Sequence, residues 1–376
     1  MKYLVLIFAC VSIVSLAQAE EDVFKADAYI QGQNDVDTYR IPSLLVTPKG
    51  ALLAFAEARQ DNGADHGHLE TVVRRSEDSG KTWGPIQVVA SDGENAVQNP
   101  TPVIDRETGT IWMCLIRTST EKYKNQKDLR NATEPSRSIW IVHSKDDGNT
   151  WSEPMDITDD VYRPGWVEAV PGPGVGIQLE NGRLLFPSYC RLLDDPYSHC
   201  FSIYSDDGGK TWRSGEITGP KMNECQAVQL SDGSVLVNMR SYRKNGVRTI
   251  ATSQNGGVSW SDVVDDPALI EPVCQASLIA YDKVKKDGVH PLLFSNPARS
   301  EHDDRNELTV RVSYDEGKTW PVAKCIEPGF AAYSCLAVLP DGDIGCLYEQ
   351  AIKEGYDSIA FARFSYDWLT DQKEGN

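Results

Sequence analysis

The sequence predicts an all-β fold, a six-bladed β-propeller, and two interleaved sets of short repeats carry that prediction. The first set is an octet that occurs five times, each time after a β-rich run. The second set is a hairpin signal, a glycine-containing turn between two apolar arms, that occurs six times. Repetition of four-stranded units around an axis produces a propeller, and such repeats are its sequence signature.

Each octet has the character of a tight turn. The five are SEDSGKTW, SKDDGNTW, SDDGGKTW, SQNGGVSW and SYDEGKTW, which start at residues 76, 144, 205, 253 and 313. We expect the third residue, Asp or Asn, to bond backbone amides of its own turn, the glycine to supply a positive φ, and the tryptophan to cover the edge of a blade. Turns of this kind build a scaffold, so they predict a propeller without indicating what it does.

The hairpin signals complete the units. They lie at residues 48–50, 107–109, 180–182, 231–233, 286–288 and 340–342. Dividing residues 20–376 by six gives about 60 residues per unit, enough for four short strands. The segment FARFSYDW, Phe361 to Trp368, is expected to form the outer half of the sixth unit. The polar segment from Thr118 to Arg137 is expected to be one long loop.

Residues 1–19 have the pattern of a secretory signal peptide. Lys2 precedes an apolar run from Tyr3 to Ala17, and Ala17-Gln18-Ala19 has the small-x-small form of a cleavage site. A run of about 15 apolar residues is short for a membrane span. We therefore expect an exported protein, extracellular, periplasmic or lumenal, with one domain over residues 20–376 and no stable membrane insertion.

Charge and cysteine spacing exclude several classes of partner. Lys+Arg number 37 against 55 for Asp+Glu, a net charge of −18, whereas nucleic-acid binding needs a dense positive surface. No CxxC or HExxH occurs, so neither a metal nor another cofactor is expected. Cys190 and Cys200 bracket a short polar stretch and are the pair to test first for a disulfide. We expect a monomer that does not bind nucleic acid.

Near the start of the predicted propeller, Arg40 stands directly before an apolar strand in YRIP, which continues as SLLVTPKGALLAFAEAR. With the five octets in this order, the chain resembles the bacterial-type exo-α-sialidases (neuraminidases) with Asp-box repeats. The resemblance runs from about Asp37 to Trp368. It implies a secreted glycoside hydrolase whose partners are sialylated glycoproteins, glycolipids or oligosaccharides.

The resemblance also implies a carboxylate-binding arginine triad. Its members match Arg40, Arg240 in NMRSY and Arg305 in DDRNELTVRVS. Sialic acid carries an ionised carboxylate, and the planar guanidinium group binds a carboxylate through two parallel hydrogen bonds without losing its charge. Arg299 and Arg311 are alternatives for the third position.

The catalytic residues that the resemblance implies are an acid/base, a nucleophile and a proton acceptor. They match Asp65 in GADHG, Tyr333 in AAYSCLAVLPDG and Glu224 in MNECQAVQLSDGS, and Asp61 is a nearby alternative to Asp65. A neutral phenol approaches a carbon that already bears a carboxylate without the repulsion a second anion would meet. Glu224 would then take the phenol proton.

Three further positions complete the predicted site. Glu349 in CLYEQA matches the glutamate that orients the first arginine, and Arg59 and Asn99 match positions that contact substituents of the sugar ring. The same residues suit a trans-sialidase or an intramolecular trans-sialidase. A propeller that binds glycans without cleaving them would have no need of the acid, the nucleophile and its base, yet all three are present.

Overall fold

The predicted units fold as antiparallel groups of four strands, or five in the third, in the computed structural model, which describes residues 22–351, 353 and 355–371. The predicted signal peptide, residues 1–19, lies outside the described residues. The strands form four sheets, of seven, five, four and eight strands, and dividing each of the two largest into two blades gives six groups, which is consistent with the predicted blade count. The all-β propeller prediction is confirmed.

The first described strand, β1 (Val23–Ile30), belongs to the last blade. The strands of the first three blades then follow along the chain. The first blade contains β2 (Thr38–Val46), β3 (Leu52–Arg59), β4 (Leu69–Ser76) and β5 (Gln87–Ala90). The second contains β6 (Ala96–Ile104), β7 (Ile111–Thr118), β8 (Ser138–Ser144) and β9 (Met155–Asp156). The third contains β10 (Trp166–Pro171), the short β11 (Ile177–Gln178), β12 (Leu184–Leu192), β13 (Asp195–Ser205) and β14 (Arg213–Ser214).

Of the other three blades, the fifth and the sixth share one long strand. The fourth contains β15 (Met222–Gln229), β16 (Val235–Ser241), β17 (Val247–Ser253) and β18 (Val264–Ile270). The fifth contains β19 (Ser277–Ala280), β20 (Leu292–Pro297), β21 (Asn306–Ser313) and the first half of β22 (Val322–Val338). The sixth contains the second half of β22, then β23 (Ile344–Gln350), β24 (Ser358–Phe364) and β1. Strand β22 therefore leaves one blade as its outer strand and enters the next as its inner strand.

The propeller is closed by strands from the two ends of the chain. Strand β1 pairs antiparallel with β24, with Val23 opposite Phe364 and Ile30 opposite Ser358. FARFSYDW thus spans the end of β24 and the start of the short helix α3 (Tyr366–Thr370), so the prediction that this segment forms the outer half of the blade is right only for part of β24. The outermost strand of this blade is β1, which comes from the other end of the chain. Its pairing with β24 closes the ring and covers an edge of the sheet that would otherwise be free.

The octets fasten neighbouring blades together. In the first, the Ser76 hydroxyl accepts a hydrogen bond from the Gly80 amide at 2.8 Å. The same Ser-to-Gly bond recurs at 2.8–2.9 Å in the other four octets. Gly80 has φ +87°, and a Cβ there would lie 2.1 Å from the Phe361 ring on β24. Only glycine lets this turn approach the neighbouring blade so closely.

The segment after β7 is not a single loop. It contains the helix α1 (Gln126–Arg130), whose first turn is capped by the Asn125 side chain, which accepts from the amides of Lys127 and Asp128. Tyr123, Leu129 and Ala132 form a small buried cluster beneath it. Local capping and burial therefore order a stretch whose composition indicates only polarity. The second helix, α2 (Thr158–Val161), precedes β10, and none of the helices in the described part is long and apolar enough to cross a membrane.

The eight cysteines of the described residues are all free thiols, so the Cys190–Cys200 disulfide is absent. In the β12–β13 ladder, Cys190 lies opposite His199, and Cys200 lies opposite Tyr189. Successive side chains of a strand point to opposite faces of the sheet. The two thiols consequently lie on different faces, and a short separation in sequence does not bring them together.

The octet carboxylates make the stability of the fold sensitive to acid. Hydrogen bonds from Thr82 lower the pKa of Asp78 to about 2. The pKa values of Asp146 and Asp207 in the next two octets are also lowered to about 2. An unfolded aspartate titrates near 3.9, so the stabilisation is complete above about pH 4 and is lost as the pH falls towards 2.

We therefore expect the melting temperature to fall as the pH drops from 4 to 2.5. The melting temperature should depend less steeply on pH when Asp78, Asp146 and Asp207 are all replaced by Asn. The fourth octet shows that Asn keeps the turn, because Asn255 Oδ1 accepts from the Ser259 amide at 2.9 Å. Thermal melts across this pH range measure the effect. An equal slope in the triple variant and the native protein would contradict it.

Candidate functional site

A cavity of about 620 Å³ lies where the inner strands begin, at the end of the axis opposite the hairpin turns. The inner strands of all six blades run from this end towards the turns, so residues far apart in sequence meet around one opening. Of the nine predicted site residues, eight line the cavity: Arg40, Arg59, Asp65, Asn99, Glu224, Arg240, Arg305 and Tyr333. The ninth, Glu349, is fully buried behind Arg40.

Glu349 holds Arg40 in a bidentate ion pair. Arg40 Nε and Nη2 donate to the two carboxylate oxygens at 3.0 and 3.2 Å. The same carboxylate accepts from the backbone amides of Ile41 at 2.9 Å and Tyr333 at 3.2 Å. Burial lowers the pKa of Arg40, but Glu349, Tyr356 and Tyr333 together outweigh burial and raise it, so Arg40 stays charged. The geometry therefore leaves the Nη1 edge of Arg40 facing the cavity.

The local backbone explains how Arg40 reaches that position. The pairing of β2 with β3 shifts register between Arg40 and Ser43, and Ile41 has φ +60°. A bulge of this kind re-aims a side chain, and it frees the Ile41 amide from the strand ladder so that it can donate to Glu349. Pro42 follows directly and needs no amide partner.

Tyr333, Glu224 and Arg240 form a hydrogen-bonded triangle in the cavity. The Tyr333 hydroxyl donates to Glu224 Oε1, and Arg240 Nη1 donates to Glu224 Oε2 at 2.5 Å. Arg240 Nη1 also donates to the Tyr333 oxygen at 3.0 Å. Burial and the charge of Glu224 raise the pKa of the Tyr333 phenol well above its usual value, against the opposing effect of Arg240. The phenol is therefore neutral and already bonded to a base.

The structure places Arg305 in the cavity rather than its two alternatives. Arg305 lies just before β21, and its Nη1 donates to the Tyr356 hydroxyl at 2.9 Å. Arg299 is exposed and paired with Asp304 and Glu307. Arg311 donates instead to Asn296 at 2.8 Å, on a different part of the blade.

Asp65 lies in the loop between β3 and β4 with its side chain 60% exposed. Its Oδ1 atom is 2.8 Å from Arg59 Nη1 and 3.4 Å from Arg40 Nη1. Burial raises the pKa of Asp65, but the charges of Arg59 and Arg40 outweigh it and hold the pKa below its usual value. Asp61 does not line the cavity, and its carboxylate accepts from the His68 amide at 3.4 Å.

Arg59 and Asn99 meet at a second buried carboxylate, Glu57. Arg59 Nη2 donates to Glu57 Oε2 at 2.7 Å, and the Asn99 amide donates to Oε1 at 3.0 Å. Asn99 Nδ2 donates to the Pro171 carbonyl at 3.2 Å. Glu57 lies two residues before Arg59 in the segment AFAEAR. Residues two apart in a strand lie on the same face of the sheet, and this alternation is the signal that could have indicated the pair.

Tyr356 is a cavity residue that the sequence did not indicate. Its ring lies 3.9 Å from the Arg40 guanidinium carbon, and its hydroxyl accepts from Arg305. It therefore contacts two of the three arginines, through a cation–π contact and a hydrogen bond. It stands in a short polar loop before β24, where no motif or periodicity marks it.

The sequence also did not indicate a wall of the cavity that the second and third blades form together. Glu168 on β10 lies 3.2 Å from Arg137 Nε and 3.5 Å from Arg191 Nε, and all three side chains line the cavity. Arg191 on β12 donates to the Leu129 carbonyl of α1 at 2.8 Å. This contact ties the segment that had been predicted as one long loop to the rim of the cavity.

A larger cavity of about 850 Å³ lies at the other end of the axis, near the hairpin turns. It contains none of the predicted site residues, and much of its wall comes from the apolar ends of inner strands, such as Val46, Ile177 and Val228. The titratable side chains that suit acid–base chemistry are concentrated instead in the smaller cavity. In the described ranges, no group of three or more His, Cys, Asp or Glu is arranged to hold a metal ion.

Comparison with known proteins agrees with this geometry. Residues 50–346 match the family described as BNR repeat-like domain. Sialidase-2 of Mus musculus is 31% identical over 366 residues, which cover 88% of this chain and 93% of that protein. The chain belongs to the sialidase family.

Two further sialidases extend the comparison. The sialidase of Micromonospora viridifaciens is 36% identical, over 91% of this chain and 54% of its own length. This chain thus spans about half the length of that relative. The solved structure of Hadza microbial sialidase Hz136 superposes with a TM-score of 0.82 at 30% identity, covering 92% of this chain and 69% of the other.

We expect Arg305 and Arg299 to differ sharply in their importance for binding a carboxylate ligand. Replacing Arg305 by Ala removes a charged hydrogen-bond donor from the cavity, which should weaken binding of free sialic acid by about 10- to 100-fold. Arg299→Ala is the matched control, because Arg299 is exposed and outside the cavity. Calorimetric titration measures both affinities, and equal losses would contradict the placement.

We expect Tyr356 to contribute to the affinity for sialic acid through both of its contacts. Tyr356→Phe removes the hydrogen bond to Arg305, and we expect about three- to tenfold weaker binding of sialic acid. Tyr356→Ala also removes the ring from Arg40, so its loss should be larger. The same titrations measure the series, and identical affinities for the native protein and the Ala variant would refute this role.

Proposed function

We propose that this protein is a secreted, retaining exo-α-sialidase that removes terminal α-linked sialic acids from glycoproteins, glycolipids or oligosaccharides. The observation that carries the proposal is the neutral Tyr333 phenol bonded to Glu224 within a cavity that is also lined by Arg40, Arg240 and Arg305. A phenol paired with a buried base is a poised nucleophile. Tyrosine is also the nucleophile by which sialidases depart from the usual two-carboxylate scheme of glycosidases.

Arg40, Arg240 and Arg305 would bind the substrate carboxylate. Arg40 is oriented by Glu349, and Arg240 is held by Glu224, so both guanidinium groups are in place before the substrate arrives. Fixed orientation lowers the conformational cost of binding and sets the anomeric carbon against Tyr333.

The first chemical step would form the glycosyl-enzyme. The Tyr333 oxygen bonds to the anomeric carbon as its proton passes to Glu224, and the bond from that carbon to the leaving oxygen breaks. Asp65 gives its proton to that oxygen. In the free protein Asp65 lies between two arginines, and a bound substrate carboxylate beside Arg40 places a negative charge near it. A like charge favours the protonated form, which is the form an acid needs.

The second step would release the sugar. Water bonds to the anomeric carbon on the face from which the first product left, and Asp65 takes the water proton. The bond from that carbon to Tyr333 breaks, and the phenol regains its proton from Glu224. Two displacements at one carbon retain the α configuration. Each residue ends the cycle in the state in which it began.

The proposal of secretion depends on residues 1–19. Their charged start, apolar run and small-residue cleavage site support removal during export. The exported protein would then reach sialylated glycans outside the cell as substrates. Amino-terminal sequencing of the protein recovered outside the producing cell tests this part, and a start at Met1 would contradict it.

We expect Tyr333→Phe and Arg40→Ala to keep the fold and to lose a hundredfold or more of kcat/KM on a fluorogenic α-sialoside. Tyr281→Phe is the matched control, because its hydroxyl donates to the Gly342 carbonyl near the hairpin turns. Rates are measured by fluorescence and folding by thermal melts. Native-like turnover in Tyr333→Phe would refute the assigned nucleophile.

Product analysis decides between hydrolysis and transfer on the same residues. Proton NMR of the native reaction should show free sialic acid, first as its α anomer. A transferred sialoside or an anhydro sugar as the main product would instead identify a trans-sialidase. Binding of sialosides without any cleavage would identify a glycan-binding propeller and overturn the proposal.

A further inference from the structure

The loop that carries Asp65 is tied to the propeller by a buried carboxylate with no assigned part in the reaction. Glu57 is 0% exposed and lies on β3. Its Oε2 atom accepts from Arg59 Nε at 3.1 Å and Nη2 at 2.7 Å, and its Oε1 atom accepts from the Asn99 amide at 3.0 Å. Glu57 therefore joins the first blade to the inner strand of the second.

Arg59 passes this fixed position on to the loop. Its Nη1 atom donates to the Gly63 carbonyl at 2.7 Å and lies 2.8 Å from Asp65 Oδ1. All three guanidinium nitrogens of Arg59 thus contact groups of the protein itself, and the side chain is 1% exposed. The geometry differs from that of an arginine held free for a sugar hydroxyl, because the guanidinium spans the acid and the backbone of its own loop.

We propose that Glu57, acting through Arg59, positions Asp65 for proton transfer to the leaving oxygen. This inference rests on the proposed sialidase function. Asp65 contacts two cations, but Arg40 Nη1, 3.4 Å away, is the edge that would receive the substrate carboxylate. Arg59 is then the cation that keeps its contact with Asp65 during the reaction. Glu57 is a positioning residue, because it touches neither the substrate nor the proton.

The other contacts of Asp65 indicate that its carboxylate needs a positioning residue. The Asp65 side chain is 60% exposed, and its backbone carbonyl accepts from Gln98 Nε2 at 3.2 Å and Gln126 Nε2 at 2.9 Å. Both amides come from the second blade, so they hold the loop backbone and leave the carboxylate to Arg59. A carboxylate that must reach a leaving oxygen at one angle requires such a second layer of support.

The same construction occurs twice more in the propeller. Glu349 holds Arg40 and the Ile41 amide, and Glu271 holds Arg248 at 2.7 Å together with the Ser241 amide at 2.6 Å. Glu271 and Arg248 are as deeply buried as Glu57 and Arg59, but Arg248 donates to the Cys274 carbonyl and not to the acid loop. The Glu271 pair is therefore a matched control for the Glu57 pair.

The test compares two substrates that differ in their need for an acid. The leaving group of p-nitrophenyl α-sialoside departs readily without a proton, whereas that of 3′-sialyllactose is an alkoxide that needs one. For both substrates kcat/KM reports the steps up to the glycosyl-enzyme. We expect Glu57→Gln to lower kcat/KM for sialyllactose at least tenfold more than for the nitrophenyl substrate.

Two further variants make the outcome decisive. Glu271→Gln should lower kcat/KM for both substrates by the same factor, because a general loss of packing does not depend on the leaving group. If Glu57→Gln fails to fold in thermal melts, Arg59→Lys replaces it, since lysine keeps the charge but cannot hold Glu57, Gly63 and Asp65 together. A ratio between the two substrates that stays native-like in the folded variant overturns the inference.

The native protein separates this outcome from failure of the proposed function. If native protein cleaves neither substrate, the sialidase proposal fails, and with it the inference. If native protein cleaves both and the substrate ratio of the variant does not change, only the inference about Glu57 fails.

Discussion

The carboxylate of Glu349 is the contact on which the rest of the site depends. It is fully buried and accepts four hydrogen bonds, from Arg40 Nε and Nη2 and from the amides of Ile41 and Tyr333. Those partners belong to β2 and β22, so one side chain on β23 fixes an arginine, the backbone beside the phenol and the junction of the first and last blades. Removing one partner of a buried ion pair costs about 3–5 kcal/mol, because the other charge is left without compensation.

In the site as a whole, buried glutamates hold positively charged arginine side chains in place. Glu349 and Glu224 pair with Arg40 and Arg240, and Glu57 pairs with Arg59, which contacts the loop of Asp65. Because Glu349 binds Nε and Nη2 of Arg40, the Nη1 edge is left for the cavity, whereas Arg59 uses its remaining edge to hold Asp65. The net charge of −18 has little influence there, because surface charges are screened over about 8–10 Å. The charge within the cavity is therefore set by the arginines that line it and not by the acidity of the whole protein.

The repeats predicted the blades because their signals are local. The octet serine, acid and glycine bond within eight residues, and each predicted hairpin turn lies between two strands of one blade. The closing strand β1 could not be predicted in the same way, because its partner β24 is more than 300 residues away and pairing between chain ends leaves no periodic signal. Helix α1 was missed because its stability comes from one capping side chain and a small cluster, both hidden in a polar composition.

By itself, the sequence determined the all-β propeller and a set of site residues carried by family motifs, eight of which the structure brings to one cavity and the ninth directly behind it. Only the tertiary structure decided which arginine of three enters the cavity, that Tyr356 links Arg40 to Arg305, and that Arg59 faces the acid loop rather than open space. The physical reason is that these relations are set by distances across blades. A motif reports its own strand or turn, whereas the orientation of a guanidinium group is decided by whichever buried carboxylate the closed ring places beside it.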